Sequence, residues 1–471
     1  MTLIMLGRRN CSDMRIHFIG IGGIGMSGIA EVMHALGYVI QGSDKVSSQN
    51  VERLEKLGIS AFVGHNEKNV KNADVVVFSS AIMQDNPELV AAKKLEIPCL
   101  SRAEMLSQIV RFKKSVVVAG SHGKTTVTSM CAAVLEMASF DPTVVNGGII
   151  NAYNTNAKLG SGDWAVIESD ESDGSFTRFF PTIEIITNVD REHILHYGSF
   201  DALKEAFKTF LNNLPFYGVG IACIDDDNVT AIVKDITDRK IITYGIESDA
   251  NYKAINIRKT KDGTVFDVLH GDCKIKNIET PLFGDHNVRN SLSVIAMANE
   301  LAIDLDTVKA TLASFTGVKR RFTEVGKING ATVIDDYAHH PTEIKTVIAA
   351  ARQKTDGKVL IICQPHRFTR LSMLFDDFCS CFDGADAVII IPVYKADDNE
   401  SAQITSDDLF QAMKRRGRNV SFAGSEAALS ELLASMIEKM YIDAEDIVIF
   451  AGAGDISKMA YRIVKDLKRA K

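Results

Sequence analysis

The 471-residue chain has one tryptophan, nine prolines and no surplus of positive charge: 53 Lys and Arg face 60 Asp and Glu, a formal charge of −7. Binding a phosphate backbone needs a concentrated basic face, so the chain carries no electrostatic footprint for nucleic acid, and its expected partners are small molecules. No apolar run approaches the length of a membrane span, and residues 1–9 combine too short an apolar stretch with the wrong polarity for a secretion signal. The expected location is therefore the cytoplasm, where the eight scattered cysteines should be reduced thiols. Cys379 and Cys381 form the only close pair. With no second pair at zinc spacing, they read as part of a buried helix surface rather than a metal site. A chain of this length, 46% hydrophobic and 24% charged, suits a globular protein of about three domains.

The most informative stretch is 115–126, Ser-Val-Val-Val-Ala-Gly-Ser-His-Gly-Lys-Thr-Thr, a buried-type strand that enters a glycine turn and then a helix. Gly120 and Gly123 let backbone N–H groups converge on an anion, with Ser121 and His122 between them. The helix N-terminus adds its positive end, and Lys124 adds a point charge for the terminal phosphates. Thr125, followed by Thr126, is placed to hold Mg²⁺ through its hydroxyl. Val118 stands where the common G-x-x-x-x-G-K-[ST] loop has its first glycine, so the alternative is a tight strand-to-helix turn that merely contains Lys-Thr-Thr.

Three segments follow from the alternation of apolar runs and helical patterns. From Arg15 to about Lys114, strand-like runs at 16–19, 39–41, 74–78 and 97–100 alternate with helices such as 26–36 and 51–57, predicting a parallel α/β sheet. The middle segment continues with strands at 164–168 and 183–188, polar alternating runs at 251–258 and 264–269 that suggest an antiparallel insert, and a helix over 287–301. From about Arg321, strands at 333–336, 359–363, 387–391 and 447–451 predict another doubly wound domain.

The front glycines, Gly20-Ile-Gly-Gly-Ile-Gly25, follow a strand and open a helix, with Asp44 about twenty residues on. That satisfies the dinucleotide fingerprint nearly in full. Its physical content is narrower, close backbone approach to a pyrophosphate at a helix N-terminus, so another diphosphate ligand or a structural turn also fits. Taken alone, the motif favours an NAD-dependent dehydrogenase, but that reading leaves the Lys124 loop unexplained.

Polar clusters recur where strands end. Residues 168–173, Glu-Ser-Asp-Glu-Ser-Asp, offer hard oxygen ligands suited to Mg²⁺; a solvated acidic loop is the bland alternative. Thr187-Asn-Val-Asp-Arg-Glu-His193 ends the next strand. Farther on come Gly284-Asp-His-Asn-Val-Arg-Asn290, Lys319-Arg-Arg-Phe322, Asp335-Asp-Tyr-Ala-His-His-Pro341 and Gln364-Pro-His-Arg-Phe-Thr-Arg370. The histidine and paired arginines of the last run read as a carboxylate or phosphate clamp. Any one run could be a surface turn; together they have the pattern of an active site assembled from two domains.

In this order the motifs at 20–28, 120–126, 168–173, 187–193, 286–290, 320–322, 335–341 and 364–370 resemble the Mur ligases, and the resemblance covers the chain from Met14 onward. Two positions depart from the family pattern: Glu192 stands where Asp is usual, and Leu195 where Asp is expected two residues after the histidine. The resemblance implies an α/β protein of three domains. These are a Rossmann-like UDP-sugar domain over 14–113, a central P-loop ATPase-type domain with a parallel sheet and a small antiparallel insert over 114–320, and a C-terminal Rossmann-like domain over 321–471. It implies ATP and Mg²⁺, with two ions, as cofactors. UDP-N-acetylmuramate and L-alanine are the implied substrates, the peptide bond forms through an acyl phosphate, and the chain is a monomer or homodimer. A relative that attaches a whole tripeptide is the nearest rival.

The implied site residues follow from the same resemblance. Gly22, Gly23, Gly25, Met26, Ser27, Asp44 and Ser80 hold the UDP-sugar. Gly120, Ser121, His122, Gly123, Lys124, Thr125, Thr126, Asn290, Arg321 and Asp336 hold ATP. Thr125, Glu168 and His193 bind metal, and His340, His366, Arg367 and Arg370 surround the amino acid. Lys124, His193, His340 and Arg367 are the implied catalytic groups.

Overall fold

The computed structural model describes residues 13–79, 81–110, 113–396 and 404–469. Two compact units make up the chain: Met1–Asn256 with Asp267–Ile278 and Arg289–Gly317, and Ile257–Phe266 with Glu279–Val288 and Val318–Lys471.

The first unit contains a five-stranded sheet of β1 (Arg15–Ile19), β2 (Val39–Asp44), β3 (Ser60–Val63), β4 (Val75–Phe78) and β5 (Cys99–Ser101). Its order is β3-β2-β1-β4-β5 and every pairing is parallel. The chain winds outward from β1 to β3, then returns to the other side of β1, so the crevice beyond the end of β1 is a topological switch point. The glycine run 20–25 lies there, between β1 and the helix Ile24–Ala35.

A ten-stranded sheet follows, built of β6 (Lys114–Ala119), β7 (Thr143–Ile150), β8 (Thr155–Lys158), β9 (Trp164–Glu168), β10 (Ile183–Ile186), β11 (Val219–Cys223), β12 (Lys240–Gly245), β13 (Tyr252–Thr260), β14 (Gly263–His270) and β15 (Cys273–Thr280). Its order, β15-β14-β13-β12-β11-β10-β6-β9-β7-β8, again makes the strand before a glycine loop the switch point, because β6 lies between β10 and β9. Strands β13, β14 and β15 are sheet neighbours joined by two residues each, a link too short for a parallel crossover, so they form the expected antiparallel insert. The helix expected over 287–301 runs Asp285–Glu300.

The second unit carries β16 (Thr323–Ile328), β17 (Ala331–Asp336), β18 (Val359–Cys363), β19 (Ala387–Ile390), β20 (Val420–Phe422) and β21 (Ile447–Ala451), in the order β16-β17-β21-β18-β19-β20. Only the β16–β17 pairing is antiparallel. Apolar residues on each face of this sheet form separate clusters, one around Ile361 and Phe378, the other around Phe450 and Leu433. A sheet covered on both faces is why its strands read as continuous apolar runs.

Candidate active site

The phosphate loop sits at the carboxyl end of β6. Gly120 has φ +130°, and a Cβ there would lie 2.2 Å from Thr187 Oγ1, so only glycine fits. Gly123, at φ +86°, caps the helix Lys124–Met137, and Asn290 lies against it, 3.0 Å from where a Cβ would stand. The segment after β10 holds the loop in place. Thr187 Oγ1 donates to the His122 carbonyl at 2.6 Å, the His122 amide donates to Asn188 Oδ1 at 2.9 Å, and the Asp190 amide donates to Ser121 Oγ at 2.8 Å. His122 and Asp190 also meet through their side chains, Nε2 to Oδ2, at 3.1 Å.

Lys124 folds over its own loop, donating to the carbonyls of Gly120 at 2.5 Å and Ser121 at 3.2 Å, and it pairs with Glu171 at 2.8 Å. Burial works against its ammonium, yet Glu171, Asp170 and Glu168 together hold it above the usual lysine range. Burial also pushes Glu171 up to about 7, with Lys124 opposing. The ion pair therefore has a firmly protonated cation and a carboxylate whose charge is the more easily lost.

Oxygen donors converge beside this pair. Thr125 Oγ1 donates to Glu168 Oε1 at 3.1 Å, and Glu168 Oε2 accepts from the Gly147 amide at 2.6 Å. His193 has left-handed φ (+56°), and its Nε2 lies 3.9 Å from Glu171 and 3.7 Å from Glu192. Glu171, Glu192 and His193 each offer a ligand atom within 4.8 Å of the others. A hydroxyl and carboxylates beside a phosphate loop fit a hard divalent cation such as Mg²⁺. The sequence singles out neither Glu171 nor Glu192 as a ligand; Glu171 is one of the oxygen donors of the acidic run, and its pairing with Lys124 is a tertiary fact.

At the front loop, the Gly22 amide donates to Asp44 Oδ2 at 2.9 Å and Asn50 Nδ2 donates to the Gly22 carbonyl at 2.8 Å. Asp44 therefore shapes the loop in this structure. Gly23 caps the following helix without a side-chain bond, which leaves backbone N–H groups at the helix start. Met26 and Ser27 are buried on the helix face, and the Ser27 hydroxyl donates to the Ile24 carbonyl. Ser80 lies outside the described residues.

In the second unit, Asp336 is buried at the end of β17 and accepts from the amides of Phe322 at 2.7 Å and Ala338 at 2.8 Å; burial pushes its carboxyl up to about 6. Arg321 lies over the Tyr337 ring and 3.8 Å from Glu343. His340 caps the helix Pro341–Lys354: its Nδ1 accepts from the Thr342 amide, and Glu343 completes the capping box. His366 stacks on Tyr394 with centroids 5.6 Å apart, faces His339 edge-on at 5.7 Å, and meets Arg370 at 3.4 Å. Arg367, at φ +69°, opens the helix Phe368–Met373. For a non-glycine residue that is a strained conformation of the kind concentrated at functional turns. The structure thus brings His340, His366, Arg367 and Arg370 to the carboxyl ends of β17 and β18.

Comparison with known proteins gives consistent matches. Residues 15–114 match the catalytic domain of the Mur ligase family, 118–298 its middle domain and 320–454 its glutamate ligase domain. A UDP-N-acetylmuramate–L-alanine ligase of Brucella anthropi is 49% identical over 458 residues, covering 96% of this chain and 97% of that protein. The same enzyme of Brucella ovis is 48% identical over 461 residues, with the same coverage. Among solved structures, the UDP-N-acetylmuramate–alanine ligase of Thermotoga maritima superposes with a TM-score of 0.83 at 29% identity, over 97% of this chain and all of that one. A murein peptide ligase of Psychrobacter arcticus shares the fold, with a TM-score of 0.72 at 22% identity over 96% of this chain and 98% of that one. With three consecutive domain matches and relatives this similar along nearly their whole length, the chain belongs to the Mur ligase family.

Proposed function

We infer that this protein joins L-alanine to UDP-N-acetylmuramate at the expense of ATP, in the synthesis of peptidoglycan precursors. The observation that carries this reading is the 49% identity to a ligase of that activity over 96% of one chain and 97% of the other. The site chemistry agrees with it. The muramoyl carboxylate attacks the γ-phosphorus of ATP, forming an acyl phosphate and releasing ADP. The amine of L-alanine then adds to the acyl carbon, and the tetrahedral intermediate expels phosphate as the amide forms and the amine proton leaves.

Two anions must meet in the first step, so positive charge is the main requirement. Lys124 supplies it, along with the loop amides between Gly120 and Thr126. Thr125, Glu168 and His193 are the residues proposed to hold Mg²⁺, two ions in all, whose charge when bound shields the phosphates from the incoming carboxylate. Asn290, Arg321 and Asp336 are assigned to the nucleotide. Gly22, Gly23, Gly25 and Asp44, with Met26, Ser27 and Ser80, are assigned to the UDP-sugar. An arginine of the Arg367/Arg370 pair would take the alanine carboxylate, with His340 and His366 beside it. Domain limits at 113/114 and 320/321, a cytoplasmic location and a monomeric or homodimeric state complete the proposal. Among the described residues no helix is long and apolar enough to cross a membrane.

The test is phosphate release from ATP with UDP-N-acetylmuramate present, adding L-alanine, glycine, L-serine or the muramyl tripeptide in turn. Release that requires both the UDP-sugar and L-alanine supports the reading. Release only with the tripeptide overturns it in favour of a recycling ligase.

A further inference from the structure

Arg102 belongs to none of the motifs that mark the site. It is the first residue of the helix Arg102–Val110, directly after β5, and so stands at the carboxyl edge of the first sheet. Its guanidinium lies on the front glycine loop: a Cβ on Gly25 would be 2.9 Å from Arg102 Nη1 and 3.3 Å from its Cδ. Its other terminal nitrogen reaches Asp170 Oδ2 at 3.4 Å, in the acidic run next to Glu171, the partner of Lys124. The side chain is mostly enclosed, with 18% of its surface exposed.

Further contacts anchor the helix that the front glycines open. The helix Ile24–Ala35 packs on β8 through Gly28, where a Cβ would lie 2.8 Å from Asn156 Nδ2. Asn156 Nδ2 donates to the Ile24 carbonyl at 2.5 Å, and Arg53 reaches Thr155 Oγ1 at 2.6 Å and Asn156 Oδ1 at 3.2 Å. Arg102 thus lies between Asp170 and Gly25, on a helix start that is itself anchored to β8. A helix start approached through glycines accepts a diphosphate, and a guanidinium seated on the last glycine of that run can donate in parallel to phosphate oxygens.

We propose that Arg102 is a binding residue for the diphosphate of the nucleotide sugar, and that its contact with Asp170 ties occupancy of that site to the phosphate loop. The inference rests on the reading of the front loop as a UDP-sugar site. Charges alternate along the path: diphosphate, Arg102, the Asp170 and Glu171 carboxylates, Lys124, then the triphosphate. A diphosphate drawing on Arg102 weakens its hold on Asp170, and the acidic run is then freer to accompany Lys124.

The experiment compares the wild type with R102A, R102K and D170N. Affinity for UDP-N-acetylmuramate and for a non-hydrolysable ATP analogue is measured by calorimetry, each alone and with the other bound, alongside thermal midpoints. The expected result is a 10- to 100-fold weaker UDP-N-acetylmuramate affinity in R102A, on the order of one lost charge-assisted hydrogen bond. ATP-analogue affinity in R102A should be the same with and without the sugar nucleotide, since the contact with Asp170 that links the two sites is gone. R102K should recover part of the affinity, because charge remains while the fork is lost. D170N should bind UDP-N-acetylmuramate at least as tightly as the wild type, since Arg102 is no longer shared with Asp170, and should abolish the dependence of one ligand's affinity on the other. R102A binding the sugar nucleotide as tightly as wild type overturns the proposal. So does an equal loss for both ligands with a lowered thermal midpoint, which is the signature of a purely structural tether. Failure of the wild type itself to bind UDP-N-acetylmuramate defeats the underlying reading instead, so the two failures are distinguishable.

Discussion

Replacing Glu184 by glutamine should stabilise the protein, and increasingly so as the pH rises. Glu184 lies in β10, next to the strand that feeds the phosphate loop, and is fully buried. Its register partners are Val117 on one side and Gly220 on the other. A Cβ on Gly220 would meet Ile241, Leu211 and Leu214, so the carboxyl occupies an apolar face. Neither carboxyl oxygen has a hydrogen-bond partner among the described residues. Burial alone therefore drives its pKa well above the ordinary 4.5. The sign follows from linkage. With the folded value raised, the folded state keeps a proton that the unfolded chain releases above pH 4.5, so stability is full below that value and falls as pH rises. The loss is about 1.4 kcal/mol for each pH unit between 4.5 and the raised folded-state value.

Glutamine is close in shape and does not titrate, so E184Q removes the slope, leaving a pH-independent offset for burying an amide. Urea unfolding at pH 5, 6, 7 and 8, followed by the fluorescence of Trp164, the only tryptophan, reports on the same sheet, because Trp164 begins β9. The stability difference between E184Q and wild type should grow as the pH rises from 5, by up to about 1.4 kcal/mol per pH unit. A difference that stays flat over that range would refute the argument, since Glu184 would then be charged or partnered in the folded state.

Three further outcomes are expected. G120A introduces a Cβ at φ +130° against Thr187 Oγ1, so ATP affinity should fall by more than about tenfold, with a stability loss of roughly 1–3 kcal/mol, in calorimetric titration and thermal melts. Unchanged ATP binding would show that the loop has room to move. K124M should abolish ATP-dependent phosphate release while leaving UDP-N-acetylmuramate binding intact, checked by a coupled assay and calorimetry. Glu88, fully buried, would be raised by its desolvation, but hydrogen bonds from His17, Ser43 and Asn69 hold it down to about 2. Its contribution is present above pH 4.5 and is lost as pH falls toward 2, so E88Q should cost about 3 kcal/mol at pH 7 and progressively less in acid, measured by urea unfolding. An E88Q penalty independent of pH would contradict this.

Much of the site is legible in the amino-acid sequence because its residues are neighbours along the chain. The glycines at 20–25 and 120–123, Lys124 and Thr125 are set by backbone geometry at a strand-to-helix turn, and a turn of that kind is written in consecutive residues. The buried parallel strands β1, β6, β10, β18 and β21 are legible too, since a strand covered on both faces is a run of apolar side chains. The short polar β8 carries no such signal; it exists because the chain returns antiparallel beside β7 and receives the helix Ile24–Ala35 at Gly28. Long-range pairing likewise governs what the charged groups do. Glu171 and Lys124 are 47 residues apart, and Arg102 and Asp170 are 68 apart, so no spacing rule connects them. Local sequence specifies which anion-binding turns and carboxylates the chain possesses. Which charge faces which is settled by the tertiary fold, because it brings the ends of parallel strands together in low-dielectric surroundings.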